Sequence, residues 1–164
     1  MRPLNLTIAA AAALALAACG GQDSETDAAN ANAGACNGEG VAVSDAWVRA
    51  ARAGQPATAA YFSICSGGAD DAIVSASFAG AGATELHLTV TNEDGTASMT
   101  QTETIALPAG ETVALKPGGA HIMFIGVAED IAEGDAPSLR LEFENAPPMD
   151  IALEVRDAMG GGGH

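Results

Sequence analysis

Basic residues are scarce in this chain. Only six of its 164 residues are Lys or Arg, against 21 Asp and Glu, so the formal net charge is −15. Proteins that bind nucleic acid need clusters of Lys and Arg, which displace the counterions of the phosphates. A chain this acidic is therefore not expected to bind nucleic acid.

Long apolar runs and catalytic patterns are missing as well. Beyond the first eighteen residues, no apolar run approaches the roughly 18 to 20 residues that a membrane span requires. The sequence has no recognisable Ser-His-Asp set, no carboxylate pair with assigned roles, and no glycine loop before a helix that could hold a phosphate. These absences favour a protein that is not an enzyme.

The N-terminal apolar run is typical of an export signal. Residues 1–18 contain a single charge, Arg2, and end in small residues before Cys19. This end resembles the lipobox of bacterial lipoproteins, in which cleavage precedes a cysteine that receives acyl chains, and several chains anchor a protein far better than one. The alternative is an ordinary signal peptide with a chance cysteine. Since Gly20 follows the cysteine where an aspartate would favour the inner membrane, we expect an anchor on the periplasmic side of the outer membrane.

The segment after the signal has little that could fold. Residues 19–40 are mostly Gly, Ala, Asn, Asp and Glu, which bury too little apolar surface, so we expect a flexible tether. With Cys19 lipidated, Cys36 and Cys65 remain as an even pair in an oxidising compartment, where disulfides persist. Joining them would stabilise the fold by roughly 3 to 4 kcal/mol in the chain-entropy account. The alternative is that one or both are metal-binding or redox thiols.

From Val41 onward, short apolar segments alternate with turn residues, and the long 3.6-residue periodicity of amphipathic helices is absent. Many short strands punctuated by Gly, Pro and Asp are typical of an antiparallel β-sandwich or barrel. We therefore predict a single all-β domain over residues 41–157, with at most one short helical turn near 79–83 or 128–131. A flexible Gly-rich tail follows at 158–164. The predicted strands are Val41–Val48, Ala59–Ile64, Ile73–Phe78, Glu85–Val90, Ser98–Ile105, Thr112–Leu115, His121–Val127, Leu139–Phe143 and Ile151–Val155.

Histidine and methionine are few, and two of each fall into one pattern. The chain has three His and, apart from Met1, four Met. His121 and Met123 are two residues apart in a predicted strand, where side chains alternate between faces, so both should point to the same face. One sheet face then presents an imidazole and a thioether together.

A second His and Met flank a predicted hairpin. Residues 92–95 are Asn-Glu-Asp-Gly, a strong turn signal between His87 and Met99. A four-residue loop there pairs Thr91 with Thr96 and Leu88 with Met99. Within one residue of register, His87 and Met99 are then near neighbours across the hairpin, and a sandwich could bring them beside the first His and Met.

Two imidazoles and two thioethers favour copper in its reduced state. Thioether sulfur is a soft donor suited to Cu(I), whereas zinc sites normally use thiolate, imidazole and carboxylate, and blue-copper sites need a thiolate. The alternative is that the methionines fill the core and the histidines are structural. Met149 is expected to pack on the core at the start of a strand. Met159 and His164 in the tail could form a second, weak copper site.

The spacing of these residues resembles a family signature. Eleven residues separate His87 from Met99, and twenty-one separate Met99 from the pair His121-x-Met123. This pattern resembles the motif of the periplasmic copper chaperone family PCuAC. Other blocks that are similar to this family are Asp45–Arg49, Ala59–Phe62 and Leu115–Met123. The resemblance covers roughly residues 41 to 157. It implies a cupredoxin-like β-barrel that binds one Cu(I) through the two His and the two Met.

The resemblance also implies a task and partners. Members of the family deliver copper for assembly of the copper centres of cytochrome c oxidase, so its subunit II and Sco-type thiol proteins are the expected protein partners, and we expect a monomer. The chain departs from some members at Leu88, where they carry Met, and in a C-terminal extension reduced to Met159 and His164. Two other hypotheses stay open. One is a structural or adhesive β-sandwich lipoprotein without metal, and the other is a redox protein that uses Cys36 and Cys65.

Overall fold

The computed structural model describes Cys36, Gly38, residues 40–92 and residues 95–157. The predicted signal segment, the lipidation site Cys19, nearly all of the tether and the tail from residue 158 lie outside the described residues. The described part contains eleven strands and no helix, and hence no helix long and apolar enough to cross a membrane. The strands are β1 (Val41–Arg49), β2 (Ala57–Ser66), β3 (Asp71–Ser77), β4 (Ala81–Thr91), β5 (Ala97–Gln101), β6 (Ile105–Leu107), β7 (Thr112–Leu115), β8 (His121–Val127), β9 (Ser138–Phe143), β10 (Met149–Ala152) and β11 (Glu154–Arg156).

The strands form two sheets, which confirms the predicted all-β fold. The larger sheet has seven strands in the order β11-β1-β2-β8-β4-β5, and β7 pairs with β2. The smaller sheet has four strands in the order β10-β9-β3-β6. All pairs of these strands are antiparallel except that of β1 with β11, which is parallel. The inner faces of the two sheets enclose one hydrophobic core.

Side-chain alternation assigns each strand an inner and an outer face. In β9, Leu139, Leu141 and Phe143 are buried, and the other three residues of the strand are exposed. In β8, Ile122 and Phe124 are fully buried in the core, so the residues that flank them point outwards. Burial of such large side chains contributes about 1.5–3 kcal/mol each.

Two predicted segments prove to be two strands each, and neither predicted helical turn is present in the described residues. Within Ser98–Ile105 the chain first pairs with β4 as strand β5. It then crosses to the smaller sheet and pairs with β3 as strand β6. Within Ile151–Val155 it changes sheet at Leu153, which is buried and donates its backbone N–H to Pro137 at 2.9 Å. Alternation continues through the crossing at Leu153, so periodicity cannot detect it. All residues of β5 are exposed, so burial gives no signal at the other crossing. Met149 begins β10 and packs against the core, as expected.

The segment around Cys36 is fixed to the end of β2. Cys36 is joined to Cys65 by a disulfide, with Cα atoms 5.7 Å apart. The N–H of Gly67 donates to the carbonyl of Gly40 at 2.9 Å, and the backbone of Gly38 occupies the space that a side chain at Gly67 would need. The last described residues before β1 therefore lie against the body of the domain.

Candidate metal centre

The four predicted ligands project from the outer face of the seven-stranded sheet. His87 of β4 and His121 of β8 are directly paired, and Met123 follows two residues later in β8. Met99 of β5 pairs with Thr89, which lies two residues beyond His87 in β4. Residues that pair directly, or that are two apart in a strand, share a face. The two histidines thus form a central row, with one sulfur-bearing row on each side.

The hairpin that carries Met99 differs by one residue from the predicted register. The structure pairs Thr91 with Ala97, not with Thr96, and Met99 with Thr89, not with Leu88. The predicted pairing would have put Met99 on the face opposite His87, because a one-residue slip exchanges the faces of a strand.

The loop chemistry explains the shift. Gly95 adopts a left-handed conformation with φ of 82°, and its N–H donates to the carbonyl of Asn92 at 2.9 Å. The N–H of Asn92 in turn donates to the carbonyl of Thr96 at 2.8 Å. A turn followed by a left-handed glycine adds a residue to the connection, so Thr96 belongs to the loop. This register brings Met99 to the same face as the histidines.

One ring nitrogen of His121 is hydrogen-bonded to the main chain, which leaves the other available to a metal. Although it lies on the outer face, its side chain is covered, and the residue is only 3% exposed. Its Nδ1 lies 3.0 Å from the carbonyl oxygen of Gly119, which can only accept a hydrogen bond. Nδ1 therefore carries the proton, and Nε2 keeps the lone pair that a metal would use.

His87 is held by a carboxylate. Its Nε2 lies 2.8 Å from Oε2 of Glu85, two residues earlier on the same face of β4. Within the described part of the chain, the Nδ1 of this ring is buried and has no hydrogen-bond partner. Buried polar atoms are nearly always satisfied, and those that are not call for an explanation such as an ion.

The separation of the two rings suits a shared metal ion. Their centroids are 5.7 Å apart, with an angle of 44° between the planes. A ring nitrogen binds a metal at about 2.0–2.1 Å, which puts a ring centre roughly 3.2 Å from the ion and limits two such rings to about 6.4 Å. Each ring also has its second nitrogen on an oxygen acceptor, the arrangement common to metal-binding histidines.

The two thioethers differ in exposure. Met123 is half-buried between the β2 and β4 neighbours of β8, whereas Met99 lies on the edge strand β5 and is 65% exposed. A methionine that fills a core is covered, so the exposure of Met99 argues against a packing role. Among the described residues, no group of three or more His, Cys, Asp and Glu is placed to hold a metal. A metal at this face would therefore depend on the sulfurs.

A row of rings extends the face away from the histidines. Tyr61 lies beside His121 with centroids 6.2 Å apart, and Trp47 lies against Tyr61 at 4.5 Å. The guanidinium of Arg156 stacks over Trp47 at 5.4 Å. These rings cover His121 from the β2 side. The indole therefore lies on the outer face of the sheet.

Sequence reasoning missed Glu85 and Tyr61 as neighbours of the site. For Glu85 a signal was available, because a carboxylate two residues before His87 in a strand must share its face. For Tyr61 there was none, because its contact with His121 depends on the pairing of β2 with β8, two strands that are distant in the sequence.

Comparison with known proteins agrees with this fold. The family described as "Putative lipoprotein LpqE-like" matches residues 41–155. The chain is 37% identical over 124 residues to "Putative lipoprotein Lxx21020" of Leifsonia xyli subsp. xyli (strain CTCB07), an alignment that covers 74% of this chain and 73% of that protein.

Solved structures of PCuAC domains have a similar fold. "Apo PCuAC domain from PmoF1" superimposes with a TM-score of 0.62 at 22% identity, over 71% of this chain and 93% of that one. "Solution structure of CuI-DR1885 from Deinococcus Radiodurans" gives a TM-score of 0.58 at 24% identity, over 71% of this chain and 78% of that one. At these identities the likeness shows a common cupredoxin-like fold, as the family resemblance implied.

Proposed function

The chain belongs to the LpqE-like lipoprotein family and has the fold of PCuAC domains, and from this premise we propose that it is a copper chaperone. It binds one Cu(I) through His87, Met99, His121 and Met123. The observation that carries the proposal is that two imidazoles and two thioethers share one sheet face, with the Nδ1 of His87 buried and lacking a partner among the described residues. The similar fold of the Deinococcus radiodurans protein, whose structure is named as a Cu(I) form, supports the choice of metal.

The donor set selects the oxidation state. Thioethers and imidazoles are neutral and relatively soft, and they suit Cu(I) better than Cu(II), Mg²⁺ or Ca²⁺. The bound ion keeps its single positive charge, because none of the four ligands is anionic. Between Gly40 and Asp157 the domain has 17 acidic and five basic residues. That surface raises the local concentration of cations and favours docking on a basic partner face.

The placement of Met99 favours transfer of copper over storage. A chaperone must exchange ligands, and a thioether that is 65% exposed on an edge strand can be replaced by an incoming donor without moving the buried His121. An electron carrier of the blue-copper type would need a thiolate ligand. Cys36 and Cys65 are joined to each other, so neither offers one.

We place this activity on the periplasmic side of a membrane. The lipoprotein names of the family and of the Leifsonia relative support a lipid anchor, which in this chain would be Cys19 after removal of residues 1–18. Gly20 favours the outer membrane. The proposed recipients are the copper centres of cytochrome c oxidase, reached through subunit II and Sco-type thiol proteins by a monomeric, non-enzymatic carrier.

Transfer itself is the test of this function. The mature chain is loaded with one equivalent of Cu(I) and mixed with the metal-free soluble domain of cytochrome c oxidase subunit II, and copper in each protein is measured after separation. We expect copper to appear on subunit II faster than the chain releases Cu(I) to a chelator. Absence of transfer with retention of copper would indicate storage, and absence of copper uptake would favour a structural or adhesive lipoprotein.

The second copper site is tested separately. Met159 and His164 lie outside the described residues, and we propose for them only a weak site in addition to the main one. A chain truncated after Asp157 should lose that weak binding and keep the tight equivalent. Loss of the tight equivalent on truncation would show that the tail contributes to the main site.

A further inference from the structure

Glu85 and His87 form a unit on the outer face of β4. Their Oε2 and Nε2 atoms are 2.8 Å apart, and the side chains are 31% and 14% exposed. Because the two residues lie in the same strand at positions i and i+2, the contact needs no change in the sheet to form. A carboxylate oxygen accepts, so the proton of the His87 ring resides on Nε2.

The contact with Glu85 decides which ring nitrogen of His87 keeps its lone pair. With the proton on Nε2, the lone pair of His87 is on Nδ1, the atom that is buried and has no partner within the described residues. The opposite arrangement holds at His121, where Nδ1 donates to the carbonyl of Gly119 and Nε2 keeps the lone pair. The two paired histidines are thus fixed as different tautomers.

We propose that Glu85 is a positioning residue that presents Nδ1 of His87 to copper, while His121 binds through Nε2. The inference rests on the proposed function, since it concerns the same site. Glu85 itself does not touch the metal. It fixes the tautomer and orientation of the ring and supplies a negative charge one residue layer away from an ion bound by neutral ligands. The main chain performs the same task for His121.

The placement of Met123 supports this division of roles. Met123 pairs directly with Glu85 across β8 and β4, so it lies on the same face and diagonal to His87. The Oε2 atom of Glu85 is occupied by the hydrogen bond with Nε2 of His87. In this proposal the carboxylate serves the imidazole, and the metal is left to the neutral donors.

The test compares three variants. Glu85→Ala removes the acceptor, Glu85→Gln keeps an amide oxygen that can accept from Nε2 without the charge, and Glu142→Ala serves as control because Glu142 lies on β9 of the other sheet. Cu(I) affinity is measured by competition with a chelator. Loss of an outer partner of this kind typically weakens metal binding by about 10- to 100-fold. We expect a loss in that range for Glu85→Ala, a smaller loss for Glu85→Gln and no loss for the control.

A second readout separates positioning from general stabilisation. Two-bond ¹H–¹⁵N spectra of the histidine rings identify the protonated nitrogen in the metal-free protein and the nitrogen whose signal shifts when Cu(I) is added. In the unaltered chain we expect the proton of His87 on Nε2 and the copper-induced shift on Nδ1. In Glu85→Ala we expect a mixture of tautomers at His87 and an unchanged pattern at His121. Circular dichroism at increasing temperature should show that the variants are folded.

The outcomes are distinct. Equal Cu(I) affinity and an unchanged His87 tautomer in Glu85→Ala would overturn the role of Glu85 and leave the copper proposal intact. Equal weakening in Glu85→Ala and Glu85→Gln, with an oxygen ligand in the X-ray absorption spectrum of the unaltered protein, would make Glu85 a direct ligand and also overturn it. Failure of the unaltered chain to bind Cu(I) would overturn the proposed function, whereas the tautomers of the metal-free protein would still be measured.

Discussion

Asp71 offers a quantitative test of how the smaller sheet is held together. It begins β3, and its carboxylate ties this strand to the turn after β9. Oδ1 accepts hydrogen bonds from the N–H groups of Ala72 at 2.8 Å and Asn145 at 3.0 Å, and Oδ2 accepts one from Ala146 at 2.9 Å. Replacement by Asn preserves the size of the side chain but turns one acceptor into a donor.

The expected loss follows from these contacts. A hydrogen bond to a charged group contributes about 1.5–3 kcal/mol, and Asp71→Asn leaves at least one backbone N–H facing a donor. We therefore expect the free energy of unfolding at pH 7 to fall by about 2 kcal/mol, which is roughly 6–8 °C in Tm for a domain of this size. Asp150→Asn is the control, because Asp150 makes only an exposed ion pair with Arg140 at 3.3 Å, worth about 0–1 kcal/mol.

The lowered pKa of Asp71 determines how the stability of the domain should change with pH. Burial alone would raise the pKa of Asp71, but backbone N–H groups outweigh it and hold the pKa below its ordinary value; the donors are Ala72, Asn145, Ala146 and Glu144. A carboxylate whose pKa is lowered on folding stabilises the protein above the unfolded pKa, and that stability is lost as the pH falls through the folded pKa.

Thermal or urea unfolding of Asp71→Asn and the unaltered protein from pH 7 to pH 3 measures this dependence. The two proteins should differ in their free energy of unfolding, and this gap should be constant above about pH 5 and shrink below about pH 4. No gap at pH 7, or a gap that widens in acid, would refute the reasoning. Copper affinity should not change, because Asp71 lies in the sheet that carries none of the proposed ligands.

Three further predictions concern the tethered end and the metal. Replacement of Cys36 and Cys65 by Ser should lower the free energy of unfolding by about 3.5 kcal/mol for a separation of 29 residues, measured in urea, with Cu(I) affinity retained; unchanged stability would contradict it. Gly67→Ala should displace the segment at Gly38 and speed its proteolysis, whereas Gly68→Ala, which has open space, should not; equal cleavage of both would contradict it. Cu(I) affinity should fall as the solution is acidified, because protonated imidazole cannot bind metal, and a flat competition curve from pH 7 to pH 4 would exclude histidine ligands.

The fold was predictable because its signals are local. Alternation in segments such as β9 identifies strands and their inner faces without knowledge of their partners. The points at which the chain changes sheet, near Thr102 and at Leu153, were not predictable, since they depend on which distant strands pair. The same limit explains why nine strands were predicted and eleven are described.

The site was predictable in part for a related reason. That His121 and Met123 share a face follows from their spacing alone. The pairing of His87 with His121 depends on β4 lying beside β8, a contact between distant segments that spacing alone could not establish. The side on which Met99 lies depended on one residue of register, set by the left-handed Gly95. Local rules identified the candidates, and long-range pairing made them neighbours.

The most direct test of the proposed copper site is the stoichiometry and affinity of Cu(I) binding to the mature chain in the presence of a competing chelator under reducing conditions. We expect one tightly bound Cu(I), with strong weakening in His121→Ala and in Met123→Leu while both variants stay folded, and unchanged affinity in the control Met149→Leu, whose methionine packs on the core. No Cu(I) uptake by the unaltered chain, or undiminished affinity in both site variants, would contradict the proposal.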